Sequence, residues 1–395
     1  MVEFNNEFFL YNFYQDKIMK ILFDVTDITE QRKFMSIPQY KLRLLKAFSL
    51  QEKKNITLLV TNNNVGYIKK ICPLYPQKIV DYRKNILTRI PYIRRFVYPC
   101  LFKKVVESSG CDVFFSASDT TSITKLKMNV PKVIVIHDLK AIKYLDVRKR
   151  KEAYDVIKQN IDTANRVIAI SNYTKEDILR NFECPEHKID VVYNSVNVIA
   201  ESVCPKIKLP HRYILWVNTF DPYKNVFTLI KGYSKIFNEI EQDLVLVGRE
   251  SPYWIETCLP FIKEHGFENR VHVLFGISDE ELRYLYENAD LFVTTSTHEG
   301  FGYTPIEAAI YKCPVISTRC EALSDTTQGK FTYLDSPFDD DKLSTLMLEI
   351  IKKGKDMVLL MKISEFFKNM YDVHKQKDEI LKVLGEVKTS SCSKR

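Results

Sequence analysis

Short, nearly continuous apolar runs alternate with helical patterns along this chain, and that alternation restricts the fold more than any other feature. The first series is Ile18–Val25, Ile56–Thr61, Val113–Ser116, Val133–Ile136, Val167–Ile170 and Ile189–Tyr193. The second is Tyr213–Asn218, Leu244–Gly248, Val271–Phe275, Leu291–Thr295 and Pro314–Thr318. Runs of this length without polar alternation are strands buried on both faces, the habit of parallel sheets. Helical patterns such as Lys175–Phe182 and Asp279–Asn288 lie between them. The expected fold class is α/β, with two doubly wound, Rossmann-like parallel-sheet domains.

A length of 395 residues suits two domains. The segment Ala200–Pro210 has two prolines and no periodicity, which makes it the boundary. Domains are therefore expected at 17–203 and 204–370. A last helical pattern, Ser364–Val387, is expected to pack back across onto the first domain over 371–388, and the tail Lys388–Arg395 reads as disordered. With 45% hydrophobic and 27% charged residues the composition is that of a globular protein. Nine scattered cysteines without C-x-x-C spacing suit a reducing cytosol and no structural metal. The N-terminus lacks the basic and apolar regions of a signal peptide, and no run reaches the ~18 apolar residues of a membrane span. A net charge of +8 suits an anionic partner or a solvated lysine-rich surface.

In doubly wound sheets ligands bind at the carboxyl ends of strands, beside helix N-termini. Leu291–Thr295 runs into Ser296–Tyr303, and a helix is expected to open at Thr304-Pro305-Ile306-Glu307. Thr304 reads as its N-cap, Pro305 as its first residue and Glu307 as the partner of a capping box. Gly300 and Gly302 let backbone N–H groups approach an anion at the positive end of the helix. Glu299 can accept from sugar hydroxyls or stand as a solvated loop acid; Glu307 can accept from a ribose or cap its own helix.

Glu299 and Glu307 form E-x(7)-E within EGFGYTPIEAA. This resembles the signature of the retaining family-4 glycosyltransferases, which have the GT-B fold of two domains facing across a cleft. Trp216–Asn225 is similar to that family's G-T-x-x-P-R-K-N segment, and Ala289–Phe292 and Cys313–Ser317 flank the signature in the expected order. Val133–Leu139 resembles its H-D-L strand end, and Val167–Ser171 and Val191–Asn197 its last two strands of the first domain. The likeness spans residues 17 to 335. It implies a glycosyl transfer, with retention, from a GDP- or UDP-sugar to a hydroxyl of a glycan or polyprenyl-linked acceptor. Surface polysaccharide or lipopolysaccharide assembly is the implied setting. It further implies that Glu299, Lys224 and His137 act on the sugar and diphosphate. Thr219, Arg249, Gly300, Phe301, Gly302, Tyr303, Thr304 and Glu307 complete the donor site, and no metal or other cofactor is needed.

The chain departs from that pattern. Asn218 stands where the family has glycine, Tyr223 where it has a basic residue, and Ser195 where it has glycine. Arg249 can supply the missing charge or pair with a surface acid. Asp27–Gln39 replaces the glycine-rich loop after the first strand. Two other readings stay open on this account: a catalytically silent GT-B binding subunit and a sugar-nucleotide epimerase. Finally, Arg83–Lys104 carries Arg89, Arg94, Arg95, Lys103 and Lys104 among aromatics and no acid. That mixture suits either docking on anionic lipid at the inner face of the cytoplasmic membrane or a helix with one solvated basic face. Pro91 and Pro99 argue against one continuous helix there. No nucleic-acid motif accompanies the charge.

Overall fold

The computed structural model describes residues 19–82, 91–118 and 125–392, the side chains of 91–96 and 390–392 excepted. It divides into two compact units. The first holds the described residues up to Ile170, Lys175–Tyr193 and those from Val373 onward; the second holds Ser171–Thr174 and Asn194–Asp372.

The first unit is a seven-stranded sheet in the order β3-β2-β1-β4-β5-β6-β7. Its strands are β1 (Ile21–Asp24), β2 (Ile56–Thr61), β3 (Gln77–Val80), β4 (Val113–Ser116), β5 (Lys132–Ile136), β6 (Arg166–Ala169) and β7 (Ile189–Val191). The second is a six-stranded sheet in the order β10-β9-β8-β11-β12-β13. Here the strands are β8 (Tyr213–Val217), β9 (Asp243–Val247), β10 (Val271–Leu274), β11 (Leu291–Thr294), β12 (Val315–Thr318) and β13 (Thr332–Leu334). All pairings are parallel. Both sheets are doubly wound, as the alternation requires. Every residue of β1, β4, β5, β8, β11 and β12 is buried, which is why these strands read as unbroken apolar runs.

Two strands have no such run. β3 and β13 are edge strands, only partly buried, and QKIV and TYL carry too little apolar length to stand out. The second unit's core gathers Trp216, Phe220, Trp254, Leu229, Leu244, Leu291 and Ile316. Phe220 lies between the two tryptophans, 5.1 Å from one ring and 4.7 Å from the other.

The expected single helix over Ser364–Val387 is two helices, Met357–Met370 and Val373–Cys392. No proline or glycine breaks them. Tyr371 does, because its side chain is required elsewhere: the hydroxyl donates to the Thr326 carbonyl at 2.5 Å, and the ring packs on Phe301 and Phe367. The Val373–Cys392 helix belongs to the first unit, where Lys377 pairs with Glu52 at 3.0 Å and Lys388 with Asp112 at 2.9 Å. Lys388–Cys392 is therefore helical rather than disordered.

The basic segment is also corrected. Pro91–Glu107 is one helix, with Pro99 inside it. Phe102 is fully buried in the first unit's core, and Tyr98 and Leu101, partly buried, pack against it, so Phe102 is not free to meet lipid. Lys103 lies 3.8 Å from Glu107 and Lys104 is exposed. Arg89 and the side chains of Arg94 and Arg95 lie outside the described residues.

Candidate functional site

In the second sheet β8 and β11 are adjacent, and the chain leaves them toward opposite edges. That is the topological switch point, where the connections diverge and open a crevice at the carboxyl ends. The segments following both strands converge there.

After β8 the chain passes Asn218–Asp221, makes a 3-10 turn at Pro222–Lys224 and enters a helix, Val226–Ser234, through Asn225. Asn225 is left-handed at φ 54°, which asparagine tolerates better than most residues. Its side-chain amide donates to the carbonyls of Thr295 (3.1 Å) and Pro337 (2.6 Å), and its own carbonyl accepts from the Thr295 hydroxyl at 2.7 Å. The turn is thereby tied to the end of β11, and Lys224 is held beside it. Lys224 Nζ lies 2.7 Å from Glu299 Oε1, with side-chain exposures of 11% and 12%, so the pair is mostly withdrawn from water. The same oxygen accepts from Ser296 Oγ at 2.8 Å and Asn218 Nδ2 at 3.3 Å. Asn218 thus does something its position as a family glycine does not suggest. Gly248, past β9, has to be glycine for the same reason: a Cβ there would stand 2.1 Å from the Asn218 carbonyl oxygen.

The helix after β11 runs Tyr303–Ile310, not from Thr304, and its N-cap is Gly302 at φ 84°. Thr304 is not the cap and Glu307 forms no capping box. With no side chain capping it, this helix presents first-turn N–H groups that have no intrahelical acceptor, at the positive end of its dipole. Pro305 still falls in the first turn, where a missing N–H costs nothing. Glu307 lies a turn further in and accepts from the Tyr286 hydroxyl at 3.1 Å. Tyr286 is fully buried, and desolvation first, then Glu307, pushes its phenol well above the usual range. It therefore stays a donor.

The loop rests on the segment after β12. The hydroxyl of Thr318 (2.7 Å) and the thiol of Cys320 (2.8 Å) donate to the Ser296 carbonyl, and Thr326 donates to that of Phe301 at 2.6 Å. Burial pushes the Cys320 thiol up to about 12, so it is no nucleophile at neutral pH. His298 is buried, with Nδ1 against the Glu321 carboxylate. Thr219 is exposed and donates to Asp221 at 2.7 Å. Tyr223 also donates to Asp221, at 3.1 Å, and its ring lies 5.2 Å from Lys224 Nζ. Arg249 is exposed beyond β9 and makes no ion pair among the described residues, so the reading as a surface pair does not hold. No group of three His, Cys, Asp or Glu side chains that could hold a metal ion occurs among the described residues.

His137 lies in the first unit, at the carboxyl end of β5. Nε2 is 3.4 Å from the Ala117 carbonyl, and Tyr40 meets the ring edge-on at 4.9 Å. Burial lowers its pKa to about 4, opposed by Asp138 and Asp27 and aided by Lys41. The imidazole is thus neutral at pH 7. The segment replacing the glycine-rich loop is bound down only where it begins, at the sheet's switch point, and Phe34 and Met35 further along it are exposed. Asp24 accepts from Thr26 and from Ser116 (3.0 Å), and Lys41, fully buried, pairs with Asp27 at 2.6 Å. Asn64 donates to the carbonyls of Val25 and Ile28.

The lowered pKa has a consequence for stability. The unfolded chain binds the His137 proton near pH 6.5 and the folded chain only near 4, so stability is full above that window and falls as pH drops through it. Thermal melts taken from neutral pH down to about 4.5 should show a shallower acid slope for His137→Phe than for the parent. Equal slopes would mean that the ring is not held neutral.

The two segments that resembled a family match its sequence patterns. Glycosyltransferase Family 4 matches residues 68–199, and Glycosyl transferases group 1 matches residues 203–364. The O-antigen chain mannosyltransferase RfbU of Salmonella typhimurium is 26% identical over 228 residues, 58% of this chain and 62% of that protein. The O-antigen chain mannosyltransferase B of Escherichia coli is 27% identical over 204 residues, 49% of this chain and 53% of that one. The matched stretch thus spans less than two thirds of these relatives' length. Among solved structures, Anabaena HepE in complex with UDP superposes with a TM-score of 0.71 at 16% identity, covering 93% of this chain and 100% of that one. The lipopolysaccharide outer core galactosyltransferase WaaB gives 0.68 at 19%, covering 93% and 100%. With both units matched in order and both sheets wound alike, the chain belongs to the family-4 glycosyltransferases of GT-B fold.

Proposed function

We propose that the chain moves a glycosyl unit from a GDP- or UDP-sugar to a hydroxyl of a glycan or lipid-linked acceptor, in surface polysaccharide or lipopolysaccharide assembly. The observation that carries this is the Lys224–Glu299 pair at the second unit's switch point, beside an uncapped helix N-terminus. A cation and a row of N–H donors suit a diphosphate, and a carboxylate suits sugar hydroxyls. When the donor binds, Lys224 turns to the diphosphate and Glu299 to the sugar. Glu307, one turn along the helix, takes the ribose. The bond from C1 to the diphosphate oxygen breaks, and a bond from the acceptor oxygen to C1 forms. The acceptor's proton leaves to a diphosphate oxygen on the same face, which keeps the anomeric configuration. The positive groups stabilise the departing charge, the role a divalent ion plays elsewhere, and no metal is required. The relatives whose names say mannosyltransferase, and HepE's complex with UDP, support this reading without choosing the base.

Melting curves with GDP-, UDP- and ADP-sugars, followed by a labelled-sugar release assay, test it. One nucleotide sugar should raise the melting temperature and be slowly hydrolysed or transferred. No shift with any of them, and no release, would overturn it. An altered sugar released without an acceptor would instead identify an epimerase.

Tyr286 has a role here that only the fold reveals. Tyr286→Phe removes a donor to Glu307 and should raise the donor KM by about tenfold, with kcat and melting temperature changed little. A lowered kcat at unchanged KM would place Glu307 away from the ribose.

A further inference from the structure

We propose a bilayer-docking surface on the first unit, at the corner between two helices, Lys140–Tyr144 and Val147–Thr163. Lys140–Lys151 (KAIKYLDVRKRK) holds six basic residues and one acid. Tyr144, Leu145 and Val147 are large apolar side chains within four positions at this corner, exposed by 52%, 43% and 74%, with the capping Asp146 between the last two. Single exposed apolar residues are ordinary, but a contiguous group rimmed by charge marks an interaction site.

The corner is held firmly from beneath. Ile142 packs on the core formed by Ile134, Ile136 and Leu139, and Lys143 is drawn to Asp177 at 2.7 Å. Asp146 caps the second helix by accepting from the Lys149 N–H at 3.1 Å. The buried residues of that helix, Ile157, Asn160 and Ile161, all lie in its second half. Its first two turns project with Arg148, Lys149, Arg150 and Lys151. Arg148 and Lys149 make exposed pairs with Glu152 and Asp146, and Arg150 and Lys151 make no ion pair among the described residues.

Charge and apolar chemistry together choose the occupant. Even with Lys143, Arg148 and Lys149 paired to carboxylates the corner keeps an excess of positive charge, which favours an anionic surface and disfavours a second copy of the same corner. Leu145 and Val147 are aliphatic, which suits the boundary of acyl chains, and Tyr144 is the one aromatic of the three, too few for the interleaved stacking platform that bound bases need. The partner is an anionic phospholipid bilayer, with the three apolar side chains inserted at the headgroup boundary and the cations around them. The first helix begins four residues past β5, so the docking corner lies next to the carboxyl end of that strand. This surface is separate from the Arg83–Lys104 segment, where Phe102 is core and Tyr98 and Leu101 pack against it.

Co-sedimentation of the full chain with vesicles tests it, without any nucleotide sugar, so its outcome is independent of the donor chemistry. Binding is expected to vesicles of two parts phosphatidylcholine to one part phosphatidylglycerol, weakened by salt, and not to phosphatidylcholine alone. Arg148→Gln/Lys149→Gln/Arg150→Gln/Lys151→Gln should lower partitioning about 100-fold, and Tyr144→Ser/Leu145→Ser/Val147→Ser at least about tenfold. Both should melt near the parent, and the four-glutamine variant alters only side chains away from the core, so one variant survives should the other fold poorly. Parent-like binding by the four-glutamine variant, equal binding to both vesicle types, or no binding at all would overturn the proposal. So would loss of binding on Lys103→Gln/Lys104→Gln alone.

Discussion

Lys224→Met is expected to lower glycosyl transfer by about 10²–10³, or ~3–4 kcal/mol of lost transition-state stabilisation, with the fold intact. Methionine keeps most of the apolar stem and removes the ammonium, which lies 5.2 Å from the Tyr223 ring. Two effects are mixed in that result, and a second variant separates them. Removing the cation leaves Glu299 largely buried with only Ser296 and Asn218 as hydrogen-bond donors to Oε1, and breaking a buried pair from one side costs up to about 3–5 kcal/mol. Lys224→Met/Glu299→Gln removes both charges and should recover much of the melting temperature, since the glutamine oxygen still accepts from Ser296 and Asn218. It should recover none of the turnover. Initial rates and melts on the single and double variants decide the matter. Transfer within about tenfold of the parent in Lys224→Met would show that the diphosphate is bound elsewhere.

Gly302→Ala should be strongly damaging to the second unit. At φ 84° an alanine bears a left-handed backbone cost of about 1–2 kcal/mol. Its Cβ would also stand 2.2 Å from Leu323 Cδ2, and Leu323 is fully buried. A total loss of about 2–4 kcal/mol is expected, with weakened donor binding because the uncapped turn moves. Gly329→Ala is the matched control: it is left-handed at φ 67° with nothing within 4 Å of the new Cβ, so it registers the backbone cost alone. Chemical denaturation of the two variants gives the clash by difference. Equal losses would mean that Leu323 yields.

Much of the site was legible because its parts are local. Lys224 and Asn225 sit in a short Pro-Tyr-Lys-Asn turn, and Glu299, Gly300 and Gly302 fall directly after a buried strand, so position in the chain was enough to nominate them. The helix start was misread at Thr304. Threonine, proline and glutamate at capping spacing are a real local preference, but Gly302 begins the helix two residues earlier because its backbone must pass under Leu323. Tyr286 carried no signal. It lies 21 residues from Glu307 in sequence, on another helix, and a tyrosine on an amphipathic pattern reads as core. The C-terminal helix was misjudged for a similar reason, since Tyr371 ends it for the sake of contacts with Thr326 and Phe301 that no nearby residue announces.

The sequence by itself determined the class of fold, because burial on both faces requires unbroken apolar strands and those can be read without neighbours. It also nominated where an anion could be met, since in such sheets the helix N-termini that follow the strand ends carry N–H groups without intrahelical acceptors. The tertiary structure alone decided which partners those residues have. Lys224 and Glu299 are 75 positions apart, and Ser296, Asn218 and Tyr286 were assigned to two carboxylates by the meeting of β8 with β11 and the packing of one helix on another. Hydrogen bonds and ion pairs act over a few ångströms, and distances of that size between remote segments are set only once the sheets have formed.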